Sequence, residues 1–479
     1  MGYPVSGSAV PWRDTCRRES FRGGEMLQSV PVSTKNIQDY RPIVGEERID
    51  EIFALAAPLR GARVLHLNAT GFGGGVAELL TTLVPLSCSL GLDVDWKLMI
   101  GAPELWETTK AMHNLLQGAT IVSEASSRVA IASGLAVGPP PLFPPVIEAP
   151  WTVEMASLWK RYNELTADEF DGQYDFVVVH DPQPAGLLVY LLNTQPQQAS
   201  TSWIWRCHID LTNANSEVWE FLRPYLAPYD AAIFTMQEYV KPDIPIDQIE
   251  LIAPAIDPLS IKNADLSGEE VRTIITKFGI DPDRPLLCQV SRFDPWKDPL
   301  GVIDCYRQVK RVVPAVQLAM VGVMATDDPE AWRYYELTMR HAGTDPDIHI
   351  LTNFVGVGNL EVNAFQRAAS VVIQKSLREG FALTVSEALW KGRPVVATAV
   401  GGIPLQVESG RDGYLVHGTA ECAQRAIELL NAPDLARQFG VNGRDHVLRN
   451  FLTTRNVSDY LQLFRRLRGQ IRRPTPRAA

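Results

Sequence analysis

The stretch "SVVIQKSLREGFALTVSEALWKGRPVVATA", Ser370 to Ala399, decides how the rest of the chain is read. "SVVIQKS" is a short apolar run of buried-strand character and "REGF" is its exit loop; "ALTVSEALWKG" has helical spacing, with Gly392 at the C-cap position. "PVVATA" then returns to a strand. That order predicts a parallel sheet with helices on both faces.

The same alternation runs outward from this unit. "RVLHLN" from Arg63, "DFVVVH" from Asp175, "SWIWRC" from Ser202, "DAAIF" from Asp230 and "IELIA" from Ile249 read as strands of one doubly wound domain. "APAIDPLS", Ala253 to Ser260, is punctuated by proline and reads as a hinge. "LLCQV" from Leu286, "VQLAMVG", "DIHIL" and "SVVIQ" then build a second domain of the same class. The reading is α/β, with an N-terminal extension at 1–25, a first Rossmann-like domain at 26–256 and a second at 257–453. The helical pattern from Thr454 to Arg468 follows the second sheet, so 454–479 is expected to cross back to the first domain and end in a basic tail. No repeat with a period of 20 to 50 residues is visible, which argues against a solenoid or propeller.

Composition narrows the function classes. The formal net charge of -10 argues against a protein built to bind polyanions, so no nucleic-acid partner is expected and an anionic ligand must meet a local positive pocket. "FRRLRGQIRRPTPR", Phe464 to Arg477, is better read as a helix end whose arginines suit the negative dipole terminus, followed by a frayed tail. The six cysteines are scattered without a C-x-x-C pair, and no run of about 18 apolar residues is present, so a reduced, cytoplasmic protein without a membrane partner is expected. Residues 1–25 lack periodicity and read as disordered. "RGGEM", Arg22 to Met26, is what a ribosome-binding site followed by a start codon would give if translated, which would place native initiation at Met26.

Sheets of this class bind ligands beyond the carboxyl ends of their strands, here in a cleft between the two domains. Glu379 and Glu387, with seven residues between them, flank the start of a helix near Leu383, whose free N–H groups suit a phosphate. Carboxylates beside an anion are better used on hydroxyl groups. On this stretch alone a surface loop glutamate and a solvated helix face fit equally well. "SRFDPWKDPLGVI", Ser291 to Ile303, adds weight: Asp298–Pro299 reads as an N-cap and first helical residue, which leaves Arg292 and Lys297 in a strand-to-helix loop where a diphosphate can bind.

In the first domain "NATGFGGGVAELL", Asn68 to Leu80, places a glycine-rich turn between strand and helix. Gly71 and Gly73 fit G-x-G with Asp93 or Asp95 about twenty residues on, but the third glycine position is Val76, which counts against a nicotinamide-cofactor site. "VVVHDPQPAG" and "WIWRCHIDL" end strands with polar residues, so Asp181, Arg206, His208 and Asp210 are expected to project into the cleft. "TDDPE" at Thr326, "DPD" at Asp281 and Asp345, and "DVD" at Asp93 read as turns or caps, so no metal cage is expected.

Together these motifs resemble the retaining nucleotide-sugar glycosyltransferases of the GT-B fold, two facing Rossmann-like doubly wound domains with an interdomain cleft. The resemblance rests on the E-x7-E of Glu379 and Glu387, on "SRF" with "WKDP", and on "GGIPLQV" followed by "GRDGYLV". "HDPQPAG", "WRCHIDL" and "RFDPWKDPLGVID" are more specific and resemble the trehalose synthases that transfer glucose from a nucleotide donor to free glucose, with fungal-type retaining trehalose phosphorylases similar at the same places. The resemblance spans about residues 35 to 470.

It implies that Arg292 and Lys297 hold the donor diphosphate, Glu387 the ribose hydroxyls and Glu379 the glucose hydroxyls. Backbone groups of Phe381, Ala382, Leu383 and Thr384 would meet the phosphates, and Gly74 and Gly75 would close from the opposite domain. Asp181 and His208 would serve the acceptor side, with Arg206 and Asp210 beside them. Leu405 and Gln406 depart from the Pro or Glu of many relatives, which leaves that loop's donor contact open. The implied ligands are a nucleoside diphosphate glucose and glucose or trehalose, with no tightly bound cofactor. Mg²⁺ stimulation, the donor base and the oligomeric state stay open, a homodimer being one arrangement allowed. Phosphorolysis of trehalose and a non-catalytic sugar-nucleotide regulator are the competing readings.

Overall fold

A computed structural model of the chain describes residues 26–71, 74–118, 150–324 and 329–469. The N-terminal extension, Cys16, Gly73, Thr326 to Asp328 of "TDDPE" and the basic tail beyond 469 lie outside the described residues.

The chain forms two sheets. The first contains β1 (Leu27–Ser29), β2 (Arg63–Asn68), β3 (Asp93–Met99), β4 (Phe176–His180), β5 (Ser202–Arg206), β6 (Ala231–Phe234) and β7 (Ile249–Leu251) in the order β1-β3-β2-β4-β5-β6-β7. Apart from β1, which pairs antiparallel with β3, every pairing in it is parallel. The second contains β8 (Leu286–Val290), β9 (Gln317–Gly322), β10 (Ile348–Thr352), β11 (Val371–Gln374), β12 (Val395–Thr398) and β13 (Gly413–Val416), all parallel, in the order β10-β9-β8-β11-β12-β13. "DVD" at Asp93 is therefore not a turn. It opens β3, and Asp95 accepts the Tyr174 hydroxyl at 2.8 Å. The aspartates at 281 and 345 do make turns, accepting the amides of Asp283 and Asp347.

Side-chain alternation along the strands divides the core into layers. Leu65, Val177, Val179, Trp203 and Trp205 pack on one face of the first sheet, while Val64, Val178, Ile204 and Ile233 pack on the other with the helix Thr453–Gly469. That helix buries Val457, Tyr460, Leu461 and Phe464 there, each apolar side chain contributing about 1.5–3 kcal/mol of transfer free energy. In the second sheet Cys288, Val321 and Val372 face one layer and Leu287, Met320 and Ile373 the other.

Two segments pass between the sheets, and they pair with each other. Ile256 donates its N–H to the Phe451 carbonyl at 2.8 Å and accepts from the Thr453 amide at 3.0 Å. Next to it Asp257 accepts from Lys35 at 2.7 Å, the Tyr40 hydroxyl at 2.9 Å and the Thr82 hydroxyl at 3.3 Å, fixing the crossing point to the first sheet's helical layer.

The order of strands reverses between β2 and β4 in one sheet and between β8 and β11 in the other. Those reversals open crevices at the strand ends. They are where the motifs of the sequence converge.

Candidate active site

The exit of β8 is locked from several sides. Asp294 caps a short 3-10 turn, Pro295–Lys297, by accepting the Lys297 amide, and Gln289 donates to the Lys297 carbonyl at 2.9 Å. Asp298 then adopts a left-handed conformation, φ 46°, and caps the helix Pro299–Lys310 by accepting the Gly301 amide at 3.0 Å. Its carboxylate also pairs with Lys375 at the end of β11, and both side chains are nearly inaccessible. The loop has little freedom, so the Lys297 side chain is presented in a fixed direction.

At the β11 exit, Lys297 Nζ lies 2.5 Å from Glu379 Oε2, and Ser376 Oγ donates to the same oxygen at 3.0 Å. Both partners are mostly buried, with 15% and 11% of their side-chain surfaces exposed. The two motifs are thus joined directly. Arg292 stands further out, 61% exposed, with Asp294 at 3.3 Å. Its charge reaches His113 on the helix Pro103–Leu116 of the first sheet and, after burial, helps hold that imidazole down at about 4.

The helix Leu383–Trp390 follows Ala382, a non-glycine residue at φ 69°. Asp181, Asp298 and Ala382 are the non-glycine residues with positive φ among the described residues; Asp181 directly follows β4, and Asp298 and Ala382 are the N-caps of the helices that follow β8 and β11. Backbone strain of about 1–3 kcal/mol per residue persists where surrounding contacts enforce it, commonly at functional sites. Enforcement is visible at this loop: Gln406 is fully buried, accepts from the Ser386 amide at 3.0 Å and hydroxyl at 2.6 Å, and donates to the Phe381 carbonyl. The neutral amide at 406 therefore acts as a clamp on the loop. Gly401, φ 54°, lies so close that an added Cβ would fall 1.7 Å from the Glu379 carbonyl oxygen.

Glu387, open in sequence to a solvated reading, is fully buried. Lys262 Nζ lies 2.7 Å from its Oε1 and 3.1 Å from Glu78 Oε1, the latter on the helix Gly75–Ser89 of the first sheet. The Lys262–Glu387 contact is an ion pair outside hydrogen-bond alignment, so both Glu387 oxygens retain acceptor capacity. The neighbouring Lys391 ammonium, donating to Asn263 at 2.8 Å, is pushed down by burial to about 7. Gly74 caps the helix Gly75–Ser89, and a Cβ at Gly75 would lie 3.7 Å from Leu383, placing the glycine loop against the start of the opposing helix.

On the first sheet, Asp181 accepts the His208 amide at 2.8 Å, and burial raises its carboxyl to about 7 against the opposing effects of that bond and of Arg206. His208 hydrogen-bonds His180 at 3.0 Å, and His180 hydrogen-bonds His66 at 3.0 Å. Burial pushes all three imidazoles well down, His66 to about 3. A chain of neutral rings backs His208, and sequence reading missed it because a histidine inside an apolar strand looks like packing. The His208 carbonyl would lie 2.8 Å from a Cβ at Gly380, and Tyr239 donates to the Gly380 carbonyl at 2.8 Å, so the β5 exit abuts the Glu379 loop.

One expected cleft residue differs. Arg206 is wholly buried under the helix Thr453–Gly469, because it shares a register position, and hence a face, with His180. Asp210 is mostly buried, and its carboxylate closes a turn by accepting the Thr212 amide at 2.9 Å. Among the described residues no group of three or more His, Cys, Asp or Glu is placed to hold a metal ion. No helix there is long and apolar enough to cross a membrane.

The family model "Trehalose synthase, N-terminal domain" matches residues 66–132 and 147–241, and "Glycosyl transferases group 1" matches 270–446. A trehalose synthase of Rubrobacter xylanophilus is 48% identical over 93% of this chain and 100% of its own length. One from Thermococcus litoralis is 44% identical over 90% and 96%. A trehalose phosphorylase of Grifola frondosa is 28% identical over 89% of this chain but 60% of its own. Among solved structures, an α,α-trehalose-phosphate synthase of Burkholderia xenovorans superposes with a TM-score of 0.63 at 12% identity, over 85% of this chain and all of that one. The fold is GT-B, and the protein is a glycosyltransferase.

Proposed function

Because the chain belongs to the trehalose synthase family, we propose that it transfers an α-glucosyl unit from a nucleoside diphosphate glucose to the anomeric hydroxyl of free glucose, giving trehalose with retention. The observation that carries this reading is the Lys297–Glu379 pair at the β8/β11 reversal, with Glu387 buried two helical turns away. A cation for the leaving diphosphate, a carboxylate for the sugar and a carboxylate for the ribose then lie beyond the carboxyl ends of two adjacent strands, β8 and β11. Retention is the outcome that the family relationship supports.

The barrier lies in breaking the bond to the leaving diphosphate while positive charge gathers on the sugar ring. Lys297 and Arg292 stabilise the departing charge, and the start of the helix Leu383–Trp390 adds backbone N–H groups and its dipole. Glu379, already engaged by Lys297 and Ser376, is better suited to ring hydroxyls than to attack, so the acceptor enters on the leaving group's own face and the phosphate takes its proton. Asp181 and His208 orient the acceptor. Asp181 is held by the His208 amide and His208 by His180, so neither depends on substrate for its position.

We assign 26–256 to the acceptor half, 257–453 to the donor half and 454–479 to the return crossing with its basic tail. A cytoplasmic setting suits this reading, since the cysteines among the described residues are free thiols, as a reducing compartment keeps them. Phosphorolysis is the rival, and Glu387 separates the two because free phosphate has no ribose. Purified protein incubated with labelled nucleoside diphosphate glucose and glucose should form trehalose. Trehalose cleavage with phosphate but not with a nucleoside diphosphate would overturn the assignment.

A further inference from the structure

Arg206 is fully buried, and its Nε, Nη1 and Nη2 atoms have no hydrogen-bond partner among the described residues. A guanidinium carries five N–H donors and stays charged, and an uncompensated buried charge is among the most destabilising arrangements a fold can contain. Its surroundings are polar and equally unsatisfied. Thr453, Asn456 and Tyr460 share one face of the C-terminal helix by their spacing, and Thr453 Oγ1, Asn456 Oδ1 and Tyr460 OH all lack partners. Thr235 Oγ1, just past β6, lacks one as well.

Several contacts place these atoms in one layer. Arg206 pairs with Ile233 on β6, two residues before Thr235. Asn456 donates to the Ala253 carbonyl beyond β7, and Tyr460 stacks edge-on over His66 at 5.9 Å. Tyr460 and Arg206 lie within electrostatic reach of each other. Of the charged groups nearby, Asp181 lies within electrostatic reach of Arg206 and accepts the His208 amide, while Arg455 pairs with Asp459 at 2.6 Å.

We propose that this layer binds a small inorganic anion of halide size, held by the Arg206 guanidinium and the Tyr460 hydroxyl beneath the first turns of the helix Thr453–Gly469. Water supplies hydrogen bonds but no counter-charge, and the enclosure of a side chain with no exposed area suits a small ion. Thr235 contributes a second hydroxyl donor. The site lies behind the His66–His180–His208 chain, and its occupancy does not depend on the proposed reaction.

Crystals of the full chain grown with sodium bromide test it directly: an anomalous peak should appear within hydrogen-bond distance of Arg206 and Tyr460. An ordered water there with no bromide signal overturns the proposal. In solution, Tm should rise saturably by roughly 3 °C as chloride replaces gluconate at constant ionic strength. The rise should be absent in Arg206→Met and smaller in Tyr460→Phe, which keeps the ring packing if the first variant does not fold. A rise of equal size in the parent and Tyr460→Phe, or none in the parent, rejects the site.

Discussion

Lys297→Ala removes the ammonium that lies 2.5 Å from Glu379 and leaves that carboxylate with the Ser376 hydroxyl as its remaining hydrogen-bond donor. Two effects add. Loss of one donor to the charge developing on the leaving group lowers turnover by ~10²–10³, about 2.7–4 kcal/mol. The exposed Glu379 charge then also faces the diphosphate: at ~5 Å and an effective dielectric of ~20 this repulsion is about 3 kcal/mol. Turnover should fall at least ~100-fold, read as nucleoside diphosphate release at saturating donor and glucose, with an unchanged circular dichroism spectrum. Adding Glu379→Gln should cost far less in the Lys297→Ala background than in the parent, because the repulsion disappears with the charge. Single-variant turnover within ~3-fold of the parent, or strictly additive losses, would refute the phosphate role of Lys297.

Glu387→Ala should raise the donor KM ~10-fold or more in trehalose synthesis while leaving any phosphate-driven cleavage unchanged; an unchanged donor KM removes the ribose assignment. Asp181 has a folded value of about 7, above its ordinary 3.8, so its contribution to stability is fully present below about pH 4 and is lost as pH rises through 7. Asp181→Asn keeps an acceptor for the His208 amide and tolerates φ 63°, so its Tm should gain on the parent between pH 4 and 7 and plateau above; a pH-independent difference contradicts the raised carboxyl. Asp298→Asn retains the cap but leaves Lys375 buried without its counter-charge, and should destabilise by ~3 kcal/mol in urea unfolding. Lys375→Met in the same chain should recover most of it.

Much of this site was legible because strand exits announce themselves. Short apolar runs end abruptly at "REGF", "SRF" and "HDP", and glycine or proline marks where the backbone must turn. The E-x7-E spacing survives folding because a loop and one short helix carry both residues. Contacts made across sheets left no local trace. Lys262 follows the hinge as an ordinary lysine, yet the fold delivers it to Glu78 and Glu387. Gln406 read as a departure from the family pattern and proved to be the clamp on Phe381. Arg206 is the last residue of β5, and alternation sets it with Ile204 on the face covered by the C-terminal helix, not in the exit loop that opens on the cleft. Its partner in register, His180, shows the face it takes.

The lysine at 262 answers to carboxylates on opposite halves of the molecule. Hydroxyls arriving at Glu387 would meet a group already shared across the gap, so nucleotide docking and approach of the halves become a single event. On the proposed reaction the expected order is donor first, glucose second, and the spent nucleotide last to depart. A nucleoside diphosphate should then compete with the donor but inhibit non-competitively against glucose.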